Sequence, residues 1–389
     1  MKNVLIVGAG IAGCSAALAL SRAGWHVTLM ERQERWSFES SGIFVYANGL
    51  RQFARLGVMD EMAEAGFVVP NGRNVYLDVR GNFLTDTRYP GIDGAPAILG
   101  IKRAEMYRVL SRRIEAAGIA IQLGTTVHAL DNRADAGRVE VIDSRGRSTH
   151  YDLVIGADGI RSSIRAMLWP QVQPTYTGFG VWRSVHRRPA DLVDKYMMMG
   201  PGQRLGIMPI SKDLLYIFGT VREPAGRWYD RADWPRLFCE KFAAFAGPVA
   251  PFLEEIAAGT ANELLYTAVE EVAMPTPWHQ GRIVLIGDAA HASTPFMGQG
   301  GAMAVQDAVE LGERLGQGGA LEAILHDFAS HRSSMCNFVQ DVSRRVGESG
   351  ADASAHEENL RKLQSGGQVA VDGFYDRLKE LESPRAGHP

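Results

Sequence analysis

Three glycines in one short run, Gly8-Ala9-Gly10-Ile11-Ala12-Gly13, stand directly after the apolar residues Val4 to Val7 and directly before an Ala/Leu-rich stretch at helical spacing. A G-x-G-x-x-G run between strand and helix answers three physical demands. Gly8 permits the tight turn, Gly10 lets backbone approach a pyrophosphate, and Gly13 lets the helix pack closely on the strand. The pyrophosphate then rests on the helix N-terminus, where Ile11 and Ala12 sit and where free N–H groups and the dipole favour an anion. Glu31 ends the next strand, 18 residues after Gly13, with Arg32 beside it. A carboxylate there accepts hydrogen bonds from both ribose hydroxyls and disfavours a 2′-phosphate, which points away from NADP. The motif alone leaves NAD and FAD open, and its bland alternative is a glycine-rich turn without a ligand.

The elements needed to position this loop can be read around it. Asn3 to Val7, Ile11 to Arg22 and His26 to Met30 form a strand–helix–strand unit, with Gly24 where a helix C′ glycine belongs. Helical spacing returns at Ala47 to Leu56 and Arg103 to Ala117, and Leu153 to Ile155 is a buried strand. From about 176 to 221 the period changes to two, with glycine and proline between the runs, as in an antiparallel sheet. Residues 231–260 are helical, Ile283 to Ile286 is again a buried strand, and Gly300 to Leu315 a long helix. The pattern predicts a doubly wound α/β domain interrupted by a β-rich second domain. The first domain is expected to comprise 1–70, 98–175 and 278–335, and the second 71–97 and 176–277. A helical segment, 336–389, follows; Val369 to Leu381 reads as its amphipathic helix, the stretch near Glu348 as small and polar, and Ser383 to Pro389 as a frayed end.

Composition removes several classes of function. Lys and Arg number 41 against 44 Asp and Glu, a formal charge of −3 that lacks the basic footprint of a nucleic-acid binder. Cys14, Cys239 and Cys336 form no CxxC pair, which argues against a disulfide framework or a zinc site and for a reducing compartment. The first apolar run is broken at once by glycine, so no secretory signal is expected, and no run approaches the roughly 20 residues that span a bilayer. The expectation is a cytoplasmic enzyme without integral membrane association. Glycine is in excess, 43 of 389 residues, against an average of about 7%.

Two later segments sharpen the cofactor. The first is Asp152-Leu153-Val154-Ile155-Gly156-Ala157-Asp158-Gly159, a strand ending in a tight turn. The second is Gly287-Asp288-Ala289-Ala290-His291, followed by Pro295-Phe296-Met297-Gly298-Gln299-Gly300-Gly301. With these and Arg103 between them, the chain resembles the FAD-dependent aromatic hydroxylases, the p-hydroxybenzoate hydroxylase-like single-component flavoprotein monooxygenases, over nearly its whole length to about residue 345. The resemblance implies an α/β fold: a Rossmann-like FAD-binding domain with an inserted, mainly antiparallel β-sheet substrate domain and a helical C-terminal segment. It implies non-covalent FAD, with NAD(P)H as transient reductant and no metal. Gly8, Gly10 and Gly13 would cradle the pyrophosphate, Glu31 the adenosine ribose, Val127 the adenine, and Arg103 the flavin side. Asp158 and Gly159 would serve FAD and the passing nicotinamide, Asp288 the ribityl chain, and Pro295 with Gly298, Gly300 and Gly301 the flavin ring. The family's chemistry is reduction of the flavin, addition of O2 to give a flavin hydroperoxide, and passage of one oxygen to an electron-rich ring. The flavin carries that chemistry, so no side chain is singled out as catalytic.

The Gly298 to Gly301 assignment also has a basis of its own. A helix starting there presents a partial positive charge, which would stabilise the anionic edge of a reduced flavin by about 1–2 kcal/mol. On the alternating run Leu214 to Val221, Leu214, Tyr216, Phe218 and Thr220 share one face. If that face lines the pocket, Tyr216 and Phe218 wall a planar ring and Arg204 pairs with a carboxylate; equally, both aromatics are ordinary core. His291 reads as packing beside the cofactor rather than as a base, Cys14 as helix packing, Met197 to Met199 as core or pocket wall, and Arg183, Arg187 and Arg188 as a solvated edge, with the alternative that one of the three reaches an acidic substrate. The segment Gly42 to Leu50 resembles the stretch that passes beside the isoalloxazine in this family, which commonly has proline where Ala47 stands. The expected partners are a small aromatic substrate and O2, in a monomer or homodimer. Four rivals remain: an oxygenase acting on a larger polycyclic natural product; a halogenase, whose Trp-x-Trp-x-Ile-Pro segment is missing; a flavin reductase without oxygen transfer; and a non-enzymatic flavin-binding module.

Overall fold

The computed structural model describes residues 2–36, 41–132 and 137–382, and the expected fraying of 383–389 falls outside them. Asn3–Val7 is central in a six-stranded sheet, flanked by His26–Met30 and Ala120–Gln122 on one side and Leu153–Gly156 and Ile283–Leu285 on the other. These neighbours all pair in parallel; only the edge strand His279–Gln280 is antiparallel. Val4, Leu5, Ile6, Leu153, Val154 and Ile155 are fully buried, as strands covered on both faces must be. Part of the cover is the helix pair Ile11–Arg22 and Gly300–Gln317. Small residues allow their close approach: a Cβ on Gly312 would stand 2.8 Å from the Cβ of Ala19.

A second sheet of seven strands runs in the order Glu263–Glu271, Thr175–Arg187, Leu214–Arg222, Gln203–Pro209, Lys195–Gly200, Arg73–Asp78, Phe83–Arg88. All its pairings are antiparallel except that of Lys195–Gly200 with Arg73–Asp78. One face packs on the helices Trp234–Lys241 and Ala250–Ala257 through Trp182, Phe238, Phe242 and Phe252. The sequence pattern did not announce Glu263–Glu271. Only Val269 in it is buried, so there is no alternation to read.

The C-terminal region differs from expectation in two ways. Leu321–Ala351 is one continuous helix, so a boundary at 335/336 would cut through it, and the stretch from Glu348 is helical as far as Ala351. The last helix spans His356–Glu382 and begins well before Val369. Its buried residues are Phe374, Tyr375 and Leu378, which confines the amphipathic signal to its second half. Gln368 on this helix exchanges two hydrogen bonds with the backbone of Arg88 (2.8 and 2.9 Å), and so closes the outer edge of the seven-stranded sheet. Among the described residues no helix is long and apolar enough to cross a membrane.

Candidate active site: a glycine-bordered cavity beneath a sheet

The three glycines of the first loop do three different things. Gly8 has φ +101°, and a Cβ there would meet the Ala157 carbonyl oxygen at 2.5 Å. Gly13 is the packing glycine, since a Cβ would fall 1.8 Å from the Gly8 carbonyl oxygen. Gly10 faces open space: the nearest atom to an added Cβ is the Tyr107 hydroxyl, at 4.0 Å. It caps the helix Ile11–Arg22 without a side-chain hydrogen bond, leaving first-turn N–H groups for a ligand. Glu31 stands half-buried at the end of its strand, where its carboxylate accepts from Ala9 N (2.8 Å) and Gln33 N (3.0 Å). Arg32 beside it is exposed, while Val127 is buried in the strand Val127–Asp131.

The Gly156–Gly159 turn brings Asp158 to the helix Ser163–Leu168 rather than into the cavity. Its carboxylate accepts from Ser162 Oγ (2.5 Å), Ser163 N (2.7 Å) and Ile164 N (3.2 Å), as a helix-capping group does. This carboxylate is engaged in local structure, whereas Gly159 lines the cavity.

Behind Gly287-Asp288 lies a buried ionic cluster. Gly287 N donates to Asp307 Oδ2 (2.8 Å), which also meets His291 Nε2 (2.6 Å), while Arg332 Nε donates to Oδ1 (2.7 Å). Burial alone would raise the Asp307 pKa; His291 and Arg332 overrule it and hold the group at about 2. Burial alone would lower that of His291; Cys336 and Asp307 hold it well above its ordinary value. His291 therefore packs behind the loop, its ring 5.1 Å from that of Trp278. His291, Asp307 and Cys336 bring an imidazole, a carboxylate and a thiol together. Arg332 already supplies the cation, so the cluster reads as structural.

A continuous cavity of about 770 Å³ runs from Gly10, Ile11 and Ala12, past Arg103, Tyr107, Asp288 and Pro295, to Gly298, Gly300 and Gly301. Gly298 is left-handed (φ +64°), and a Cβ there would meet Phe44 at 2.1 Å. At Gly300, the first residue of the 18-residue helix, an added Cβ would meet nothing within 4 Å. Two helix N-termini bordered by open glycines fit a ligand with a pyrophosphate and an electron-accepting ring.

The roof of the cavity is the free face of the seven-stranded sheet. The face shared by Tyr216, Phe218 and Thr220 is the one that lines it, as are Met197 and Met199, while Met198 points into the opposite core. Arg183 is corrected from a solvated edge: it is half-buried, donating to Tyr216 Oη (3.2 Å) and to Thr267 Oγ1 (2.5 Å). Arg204 also lines the cavity, but its guanidinium donates to the Val346 carbonyl and lies 5.1 Å over the Phe296 ring. Burial pulls its pKa down to about 10. Phe44 lines the cavity as the segment Gly42 to Leu50 implied, whereas sequence reasoning missed Asn74, Tyr76, Tyr89 and Lys195, all of which line the same space. The available signal was parity: Lys195, Met197 and Met199 alternate on one face of their strand.

A parallel sheet with a glycine-loop helix, joined to a second sheet that roofs the same cavity, defines a dinucleotide-dependent oxidoreductase. A model of the family described as FAD binding domain matches residues 1–343. The aurachin C monooxygenase/isomerase of Stigmatella aurantiaca is 32% identical over 376 residues, 94% of this chain and 95% of that protein. The 2-heptyl-3-hydroxy-4(1H)-quinolone synthase of Pseudomonas aeruginosa is 32% identical over 353 residues, 90% of this chain and 89% of that one. The crystal structure of Klebsiella pneumoniae HpxO complexed with FAD and uric acid matches with a TM-score of 0.84 at 27% identity, covering 97% of each chain. The chain belongs to this FAD-binding family and is an FAD-dependent monooxygenase, as the resemblance in its motifs implied. Bound FAD supplies the electron-transfer and oxygen chemistry; the protein's residues bind it, orient the substrate and exclude water.

Proposed function

We propose that this protein hydroxylates a small, planar, acidic or phenolic aromatic or N-heteroaromatic compound, using NAD(P)H and O2. The reading rests above all on the aromatic wall of the roof. Tyr216 and Phe218 are stacked (5.3 Å, 25°), and Phe44 stands 5.6 Å from Phe218, beside the Gly298 turn. Such a wall offers ring faces to a flat substrate. A relative that makes a quinolone and a similar structure holding uric acid support a heteroaromatic ring. Gly8, Gly10, Gly13, Glu31, Arg103, Asp288 and the Pro295–Gly301 loop are proposed as the FAD contacts.

The test is a screen of small aromatic acids for substrate-stimulated NAD(P)H oxidation, with O2 uptake and product mass measured. Hydroxylation requires O2 consumption and a product heavier by one oxygen; NAD(P)H oxidation with neither would make the protein a reductase. Phe218→Ala should weaken substrate binding roughly 10-fold, since a ring contact contributes about 0.5–1.5 kcal/mol. The flavin spectrum should not change, and an unaltered Kd in a folded variant would remove Phe218 from the pocket.

One observation favours a larger substrate as a second reading. The cavity continues past the roof to Val342, Val346, Leu363, Ala370 and Val371 on the two C-terminal helices. An apolar extension of this kind suits a ring with an alkyl or polycyclic tail. Tighter binding of 2-heptyl-4-quinolone than of the unsubstituted 4-quinolone would select that reading.

A further inference from the structure

We propose that Lys195 and Asn74 form an anion subsite in the substrate pocket, one that takes the ionised oxygen of a planar aromatic substrate. The inference deepens the hydroxylase reading and rests on it for the identity of the occupant.

Lys195 opens the strand Lys195–Gly200 and is 4% exposed, yet it forms no ion pair among the described residues. Its neighbour Asp194 has the opposite parity and is bound by Arg73 Nη1 at 2.8 Å. The ammonium donates to Tyr46 Oη (3.0 Å) and stands 4.8, 5.6 and 5.5 Å from the ring centres of Phe44, Tyr46 and Tyr89. An ammonium has three donors, and this one has a single acceptor. Rings stabilise a cation without neutralising it, and a buried charge ordinarily has a partner.

Asn74 is the register partner of Lys195 on the adjacent parallel strand. It is 1% exposed and lines the same cavity, and its amide makes no hydrogen bond of ordinary geometry, with the Tyr76 hydroxyl as its polar neighbour. A buried amide without a well-formed hydrogen bond, beside a buried ammonium without a counter-ion, offers polar groups suited to an anion. One ionised oxygen would accept from Lys195 Nζ and Asn74 Nδ2 together.

The other titratable groups around this corner are the hydroxyls of Tyr46, Tyr76, Tyr89 and Tyr375. Burial raises the pKa of each, so none supplies a negative charge near neutral pH. Burial also draws the Lys195 pKa down to about 7, and an anion beside it would raise it again. Phe44 links the subsite to the aromatic wall, lying under Lys195 on one side and near Phe218 on the other. Arg204 enters from the other end of the strand, and its guanidinium acts on the Tyr76 hydroxyl and not on Lys195. Its register partner Met199 stands four residues along the strand from Lys195, about 13 Å at 3.3 Å per residue.

The test measures affinity for the FAD-loaded protein at pH 6.5 without NAD(P)H, so it is independent of turnover. Benzoate against benzamide probes a carboxylate, and urate against the mostly neutral xanthine probes a ring anion whose charge is shared with its exocyclic oxygens. Wild-type protein should prefer the anion at least 10-fold in one arm, and that arm identifies the oxygen. Lys195→Met should abolish the preference while the flavin spectrum and melting temperature are kept or raised, because an uncompensated charge has been removed. Asn74→Leu, which leaves the lysine in place, should reduce the preference several-fold and serves if Lys195→Met fails to load FAD. No preference in either arm, or a preference that survives both variants, would overturn the subsite. Anion binding without any O2-consuming turnover would instead overturn the hydroxylase reading alone.

Discussion

Asp307→Ala is expected to destabilise the protein by about 3–5 kcal/mol, the loss typical of removing one partner from a buried ion pair. One carboxylate with no exposed surface serves three donors, so its removal leaves buried Arg332 with only the more distant Glu310 (4.0 Å) as counter-charge and Gly287 N without an acceptor. Differential scanning fluorimetry should show a fall in melting temperature of the order of 10 °C. The pH profile tests the same cluster. Asp307, held at about 2 against an ordinary 3.8, contributes fully above about pH 4 and loses its contribution as pH falls toward 2. His291, raised well above 6.5, contributes fully below 6.5 and loses its contribution as pH rises through the raised value. Wild-type stability should therefore hold between about pH 4 and 6.5 and decline on both sides, while Asp307→Ala loses both slopes. Because Asp307 anchors the backbone beside Asp288, the variant should also retain less FAD, read from the ratio of flavin to protein absorbance. An unchanged melting temperature would mean that the cluster contributes nothing to the fold.

The glycine loops were legible because their function is a property of backbone. Gly8, Gly13, Gly287 and Gly298 are required by left-handed φ or by contacts under 3 Å, and a spacing rule records such requirements directly. The alternation through Tyr216 and Phe218 was legible for a related reason, since period two assigns faces without knowing what lies opposite. Which face met the cofactor cleft was not legible, because that depends on how two sheets pack. Lys195 shows the limit. In Asp194-Lys195-Tyr196 it reads as a routine charged strand entry, and its isolation from carboxylates arises only when Asp194 turns to Arg73 and three aromatic rings close around the ammonium. Asp158 shows the converse. A carboxylate at a tight turn suggested the cofactor, and the spacing did not show that it also caps the adjacent helix through two backbone N–H groups. The helical character of the C-terminal segment was legible, but the extent of its two long helices was not, because much of their surface is polar and the contacts that hold them are tertiary.

Gly13→Ala and Gly10→Ala, three positions apart in one loop, are expected to fail in different ways. At Gly13 the methyl group would stand 1.8 Å from the Gly8 carbonyl oxygen, a backbone atom that no rotamer change can move. The helix Ile11–Arg22 must then lift from the strand Asn3–Val7, a displacement that costs about 3 kcal/mol or more as overpacking. It also disturbs the Ala9 N–Glu31 hydrogen bond that sets the ribose-binding edge. This variant should melt several degrees lower even as apoprotein and should be purified largely without flavin. At Gly10 the backbone is extended (φ −72°, ψ −173°), and the nearest atom to the new methyl is 4.0 Å away, so the ligand-free fold accommodates alanine. Its apoprotein should melt with the wild type, while FAD binds about 10- to 100-fold more weakly because the methyl occupies the space reserved for the pyrophosphate. Fluorescence titration of FAD into the two apoproteins, beside their melting curves, separates a packing glycine from a ligand glycine. Wild-type FAD affinity in Gly10→Ala would show that the pyrophosphate lies elsewhere, and wild-type melting in Gly13→Ala would show that helix and strand are not held as closely as the 1.8 Å approach requires.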